Sequence, residues 1–211
     1  MLVTGGAGYV GSHAVKSLGE AGHTPVVLDD LSAGHRAAVR GAALIEADVR
    51  DTDVVRSILR ENRVTAVMHF AGLLSVGESV QHPARYYNLN LGGSLSLLEA
   101  MRAEGVRRLV FSSTCAVYGE PVVTPIDEDH PTRPINAYGE TKLAVEHALA
   151  HYSRAYGLQS IALRYFNAAG ADSTGRLGEA HEPELHLIPL VILAAQNGAP
   201  VQVFGADYPT E

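Results

Sequence analysis

Apolar positions along the 211-residue chain follow two alternating patterns. Short apolar runs occur at residues 2–3, 26–28, 44–45, 66–70, 109–111 and 161–165, and each reads as a strand buried on both faces. Between them, residues 12–21, 52–62, 83–104 and 138–156 carry apolar side chains at three- and four-residue spacing, the period of an amphipathic helix. Strands alternating with helices predict an α/β chain built on a doubly wound parallel sheet with right-handed crossovers. Residues 121–134 are rich in proline and acid, lack periodicity and precede a helix, so they read as a loop on the site side. After Tyr165 the pattern loosens, and a helix over 185–196 and a strand over 201–204 follow. Residues 205–211 read as a loop leading onward, so a longer polypeptide is expected.

Composition narrows the chemistry. With 46% hydrophobic residues the chain can build a large core. A formal charge of −7 without any lysine- or arginine-rich block argues against nucleic acid or anionic membrane as a partner and favours a small molecule. Cys115 is the single cysteine, which excludes an intrachain disulfide. The first residues lead into a strand and a glycine turn rather than a signal-peptide pattern, and no run reaches about 18 uninterrupted apolar residues. A cytoplasmic protein is expected.

The first strand runs into Thr4-Gly5-Gly6-Ala7-Gly8-Tyr9-Val10-Gly11, which satisfies G-x-G-x-x-G ahead of an amphipathic helix. Glycines there permit a tight turn, close approach of backbone to a pyrophosphate, and helix packing on the strand, while the helix start offers N–H donors and a positive dipole end. This is the Rossmann dinucleotide fingerprint. The second strand ends at Asp29-Asp30, about 20 residues on, where a carboxylate accepts from the adenosine ribose hydroxyls and repels a 2′-phosphate. NAD is therefore expected over NADP, with His35 and Arg36 nearby as the NADP-favouring feature. Asp30 and Ser32, Asp48 and Val49, and Phe70, Ala71 and Gly72 close successive strands on the same carboxyl edge.

Tyr138 and Lys142 stand at i and i+4 of a predicted helix, sharing one face. A free tyrosine has a pKa of about 10, so it acts as a base near neutrality only where positive charge stabilises the phenolate. Lys142 and an oxidised nicotinamide supply such charge. The fifth strand ends Ser112-Ser113-Thr114, and Thr114 can hydrogen bond the same substrate hydroxyl.

These motifs, with Val76-Gly77-Glu78-Ser79-Val80, Val117-Tyr118-Gly119, Leu163 to Asn167 and Phe204-Gly205 with Asp207-Tyr208-Pro209-Thr210, resemble the extended short-chain dehydrogenase/reductases over essentially the whole chain. Cys115-Ala116 follows Thr114 where the family's 4,6-dehydratases place acidic residues, so the resemblance is to its sugar-nucleotide epimerases. It implies NAD-dependent interconversion of UDP-glucose and UDP-galactose by transient oxidation at C4, with Tyr138, Lys142 and Thr114 catalytic. It further implies that Gly5, Gly8, Tyr9, Val10, Ser112, Tyr165 and Phe166 join the NAD site, and that Asn167, His186, Leu187, Val203 and Phe204 hold the UDP-sugar. It implies a homodimer through helices 83–104 and 138–156, and a division into an NAD-binding domain, 1–166, and the incomplete start of a substrate lobe, 167–211. Leu74 and Leu89 depart from the family pattern, where polar residues stand, and would weaken cofactor binding. Another sugar-nucleotide epimerase or reductase and a non-catalytic NAD-binding fragment are the alternatives.

Cys115, Tyr86, Tyr87, Leu95, Leu97 and Leu98 are expected to serve packing. No metal site is expected. The run His181 to His186 is not H-E-x-x-H and contains Pro183, and His147 and His151 lack a third ligand in sequence.

Overall fold

A computed structural model describes residues 1–203 and 205–207. The chain divides into two compact units, Met1–Ala168 and Ala169–Glu211. The first holds a six-stranded sheet: β1 (Leu2–Thr4), β2 (Val26–Asp29), β3 (Ala43–Glu46), β4 (Val67–His69), β5 (Arg108–Thr114) and β6 (Gln159–Tyr165). The spatial order is β3-β2-β1-β4-β5-β6, with every neighbouring pair parallel. This is a doubly wound Rossmann sheet, whose order reverses at β1 and β4. Ligand sites form at such a switch point, beyond the carboxyl ends of the strands.

The helices α1 (Tyr9–Glu20), α2 (Thr52–Glu61), α3 (Val76–Gln81), α4 (Pro83–Tyr86), α5 (Gly93–Ala103) and α6 (Ala137–Tyr156) cover the sheet. On one face, Leu2, Leu28, Val67, Leu109 and Phe111 pack with Val55, Ile58 and Leu59 of α2, Leu97, Leu98 and Met101 of α5, and Val145 and Leu149 of α6. On the other, Val3 and Val27 pack with Val15 of α1. Chemistry at the helix ends fixes where the elements start. Asp51 accepts from the Val54 amide to cap α2 (3.1 Å) and Asn136 accepts from the Gly139 amide to cap α6 (2.9 Å), each satisfying a donor that has no partner within its helix. Gly157, at φ 70°, ends α6 in the left-handed region.

Three local expectations fail. Residues 83–104 are not one regular helix: α4 passes into a π-helical segment, Tyr87–Gly92, before α5. Helix α3 is invisible to periodicity because it is short and its Val76 and Val80 face solvent. Residues 201–203 form no strand. A short apolar run becomes a strand only by pairing, and among the described residues nothing pairs with it; Phe204 lies outside the described residues. Tyr87 also departs from the packing role expected of it, being 45% exposed while Tyr86 is fully buried.

Strand β6 is the edge of the sheet, with Ile161 and Leu163 exposed. In the second unit, α7 (Leu187–Asn197) is apolar around most of its circumference and buries none of its residues. No helix among the described residues is long and apolar enough to cross a membrane.

Candidate active site

The glycines between β1 and α1 do different work. Gly5 has φ +69°, and a Cβ there would lie 2.5 Å from the Ala71 amide nitrogen; a Cβ on Gly11 would lie 2.1 Å from the Gly5 carbonyl oxygen. Both are glycine because the turn, β4 and α1 touch. Gly8 is different: it caps α1 in an extended conformation, and the one atom near its would-be Cβ is the Gly5 oxygen at 3.4 Å. Packing does not demand a glycine there, so its missing side chain leaves room for a ligand beside the start of α1, where Tyr9 and Val10 open the helix.

Asp29, at the carboxyl end of β2, is buried, and its two oxygens accept from the Ala7 and Leu31 amides, each at 2.9 Å. Burial pushes its carboxyl pKa up, opposed by those two hydrogen bonds. The turn and the acid are thus tied together, and Gly34 closes over them, its would-be Cβ 3.0 Å from Asp29 Oδ1. Asp30 accepts from the Ser32 amide and hydroxyl on the exposed side. Arg36 is paired with Glu46. Beyond β3, Asp48 accepts from Arg50, which holds its carboxyl below the usual range; Val49 packs where a Cβ on Gly93 would meet it at 2.9 Å. Arg50 also reaches Asn88, a tie that sequence reading missed.

Beyond β4, Phe70 donates its amide to the Thr4 carbonyl (2.9 Å), Ala71 runs beneath Gly5, and Gly72 faces Asn90 and Lys142. The π-helical segment places Asn90 inward, where it accepts from the Leu73 amide (2.8 Å) and donates to the Leu73 carbonyl (3.0 Å). This fixes the backbone between Gly72 and Leu74 without help from Leu74, which is 44% exposed, or Leu89, which is half-buried. A buried chain of polar groups underlies it: Thr4 Oγ1 to His69 Nδ1 at 2.6 Å, His69 Nε2 to Ser94 Oγ at 2.9 Å, and Ser94 Oγ donating to the Asn90 carbonyl at 2.5 Å. Burial, with Lys142 nearby, depresses the His69 pKa to about 3, so the ring is neutral. The sequence hides this histidine inside an apolar strand.

Tyr138, near the start of α6, and Thr114, at the end of β5, bring their hydroxyls near enough for Thr114 to act on the phenol. Burial pushes the phenol pKa up, the Thr114 contact opposing it. Lys142 is 5% exposed, donates to the Ser112 carbonyl at 3.1 Å, and lies 5.1 Å from the Phe111 ring centroid and 5.9 Å from that of Tyr138. Desolvation pushes its pKa down to about 8. Behind this pair, Glu146 of α6 accepts from Ser113 and from Arg164 of β6, whose guanidinium also donates to the Tyr118 hydroxyl at 3.1 Å. The clamp joins β5, β6 and α6, and so fixes Thr114 against Tyr138; spacing alone gave no sign of it. Cys115 is half-buried, and burial pushes its thiol pKa up. Tyr165 closes β6 opposite Thr114, Phe166 stacks on Tyr118 at 6.5 Å, and Asn167 is exposed just beyond.

Glycine turn, Asp29, Gly72, Lys142, Tyr138 and Thr114 therefore share the carboxyl edge of one sheet. In the second unit, His186 stands at the N-cap position of α7 with no side-chain hydrogen bond into the helix, its ring nitrogen on Glu179 instead; Leu187 is exposed as the first residue of α7, and Val203 is exposed.

Residues 1–209 match the family described as NAD dependent epimerase/dehydratase family. A UDP-glucose 4-epimerase of Rhizobium leguminosarum bv. trifolii is 50% identical over the whole chain. The crystal structure of UDP-glucose 4-epimerase from Brucella ovis in complex with NAD superposes with a TM-score of 0.96 at 50% identity, covering 99% of this chain and 65% of that one. The enzyme from Bifidobacterium longum in complex with NAD+ and UDP gives 0.92 at 36% identity, covering 99% and 66%. The chain spans 64% of the length of the Rhizobium relative.

Proposed function

Because the chain belongs to the NAD dependent epimerase/dehydratase family, we propose that it is the cofactor-holding part of an enzyme that interconverts UDP-glucose and UDP-galactose, with NAD as its cofactor. The observation that carries this reading is the Tyr138 and Thr114 hydroxyl pair beside a buried Lys142, on the same sheet edge as the glycine turn.

The residues fit the cofactor. Gly8 leaves space that a Cβ would narrow, the α1 start offers N–H donors to a pyrophosphate, and Asp29 holds its carboxylate where a ribose is expected. Asp30, Ser32, Asp48 and Val49 border the adenosine end, Phe70 to Gly72 pass under the pyrophosphate, and Ser112, Tyr165 and Phe166 border the nicotinamide end. NAD, when bound, takes up and gives back a hydride at sugar C4. Tyr138 removes the 4-hydroxyl proton through its phenolate oxygen and later returns it. Thr114 orients that hydroxyl by hydrogen bonding. Lys142, a cation in a desolvated pocket, favours the phenolate that burial otherwise opposes. Asn167, His186, Leu187, Val203 and Phe204 take the UDP-sugar, residues 1–166 being the NAD domain and 167–211 part of the substrate lobe. The complete protein is a cytoplasmic homodimer joined through the helices over 83–104 and 138–156.

The test is an epimerase assay on the full-length protein with UDP-galactose, UDP-N-acetylgalactosamine and UDP-glucuronate in parallel. UDP-galactose is expected to turn over fastest, and Tyr138→Phe to lower kcat by about 10²- to 10⁴-fold, the span general acid–base catalysis contributes. A Tyr138→Phe enzyme as active as the wild type, or preference for another sugar, overturns the proposal.

A further inference from the structure

We propose that the second unit carries a divalent transition-metal site built from Glu179, His181, Glu184 and His186, of the kind that takes Zn²⁺. The ligand atoms of these four side chains all lie within 4.8 Å of one another. His181 Nδ1 is 3.1 Å from Glu179 Oε1 and 3.8 Å from Glu184 Oε1; His186 Nδ1 contacts the same Glu179 oxygen and lies 4.0 Å from Glu184 Oε1. A tetrahedral ion with bonds of about 2.0–2.2 Å holds its ligands about 3.4 Å apart, so the four atoms straddle the required spacing before any adjustment.

The donor chemistry agrees. Two imidazole nitrogens and two carboxylates form a borderline set that suits Zn²⁺, with Co²⁺ as a spectroscopic substitute. The carboxylates are secluded, at 8% and 11% side-chain exposure, and His181 at 21%. Two adjacent carboxylates withdrawn from water call for a cationic partner. Glu184 is already aimed: its Oε1 accepts from the Leu185 and His186 amides at 2.8 and 2.9 Å, the supporting hydrogen bonds that orient a ligand. The start of α7 offers about half a positive charge, which two carboxylate charges outweigh. The run His181 to His186 fails the helical H-E-x-x-H pattern because Pro183 keeps it out of a helix, and a bent loop rather than a helical i, i+4 pair brings the donors together.

The ion enters as a dication and replaces the contact between His186 Nδ1 and Glu179, each imidazole presenting Nδ1 as a lone pair with its proton on Nε2. No bond in the protein breaks and no electron moves.

The experiment titrates the 211-residue chain with Co²⁺, then Zn²⁺, without nucleotide. One equivalent of Co²⁺ is expected, with the intense visible bands of a four-coordinate ion that Zn²⁺ then displaces. His181→Ala and Glu184→Gln are each expected to weaken binding by more than the about 10- to 100-fold that loss of a supporting group costs, and a His147→Ala/His151→Ala variant to bind normally. Circular dichroism checks folding; should a variant unfold, the wild-type spectrum decides. Weak six-coordinate bands, no saturable binding, or equal loss in the α6 variant overturns the site and leaves the cluster as loop hydrogen bonds only. Because no nucleotide is present, either outcome is independent of the proposed epimerase activity.

Discussion

Gly8→Ala separates ligand space from packing space at the phosphate turn. The backbone at Gly8 has φ −80° and ψ 176°, an extended conformation that alanine adopts freely, and the added methyl would meet only the Gly5 oxygen at 3.4 Å. Alanine is a poorer N-cap than glycine by up to about 1 kcal/mol, and this is offset by about 0.4–1 kcal/mol from the stiffer unfolded chain. The melting temperature should therefore shift little. Gly11→Ala is the contrast: its methyl would sit 2.1 Å from the Gly5 oxygen, an overlap expected to cost about 3 kcal/mol or more, or about 6–12 °C for a chain of this size. In the bound state a methyl on Gly8 intrudes on the pyrophosphate, and overpacking of about 1–3 kcal/mol raises the NAD Kd about 5- to 150-fold. Calorimetric titration with NAD, run beside thermal melts of both variants, measures the two effects separately. A Gly8→Ala protein that binds NAD within twofold of wild type, or that melts as low as Gly11→Ala, refutes the reasoning.

Other consequences follow from the buried groups. His69 is depressed from 6.5 to about 3, so the unfolded chain binds the extra proton between those values; its contribution to stability is complete above about pH 6.5 and is lost as pH falls toward 3. That amounts to about 2 kcal/mol between pH 7 and pH 5, and urea melts of His69→Gln should show a correspondingly flatter pH dependence; an unchanged slope counts against it. Lys142 and Lys16 are the two lysines of the chain, so the Lys142 side chain can be followed by NMR, with a midpoint near 8 expected and one above 10 contradicting its burial. Asp29→Asn removes the charge that disfavours a 2′-phosphate and should lower the preference for NAD over NADP about tenfold; equal discrimination in the variant would assign the preference elsewhere.

The strands and most helices of the sheet were legible because buried parallel strands and amphipathic helices leave different periods. Tyr138 and Lys142 were legible because helical spacing turns i and i+4 into neighbours. What escaped was carried by contacts without a period. His69 looks like an interruption in an apolar strand, yet it joins Thr4 to Ser94 across β1, β4 and α5. Asn90 faces inward through a π-helical turn that spacing rules do not anticipate. Arg164 and Glu146 are 18 residues apart and read as surface charges, though they form a largely buried pair. The strand expected at 201–204 failed for a related reason, since pairing partners are not written in a strand's own residues.

The exposed flank of β6 bears on how this polypeptide behaves in concentrated solution. Among the described residues no strand flanks the outer side of this seven-residue parallel edge, which shows Ile161 and Leu163; an open strand edge beside apolar side chains is the combination that templates strand addition between molecules. Charge repulsion at −7 is a long-range force that salt screens over about 10 Å at 0.1 M, whereas edge-to-edge pairing acts at contact. Colloidal stability of the 211-residue chain should therefore fall as salt is added, with light scattering rising with ionic strength, and a charged residue at position 161 should restore it.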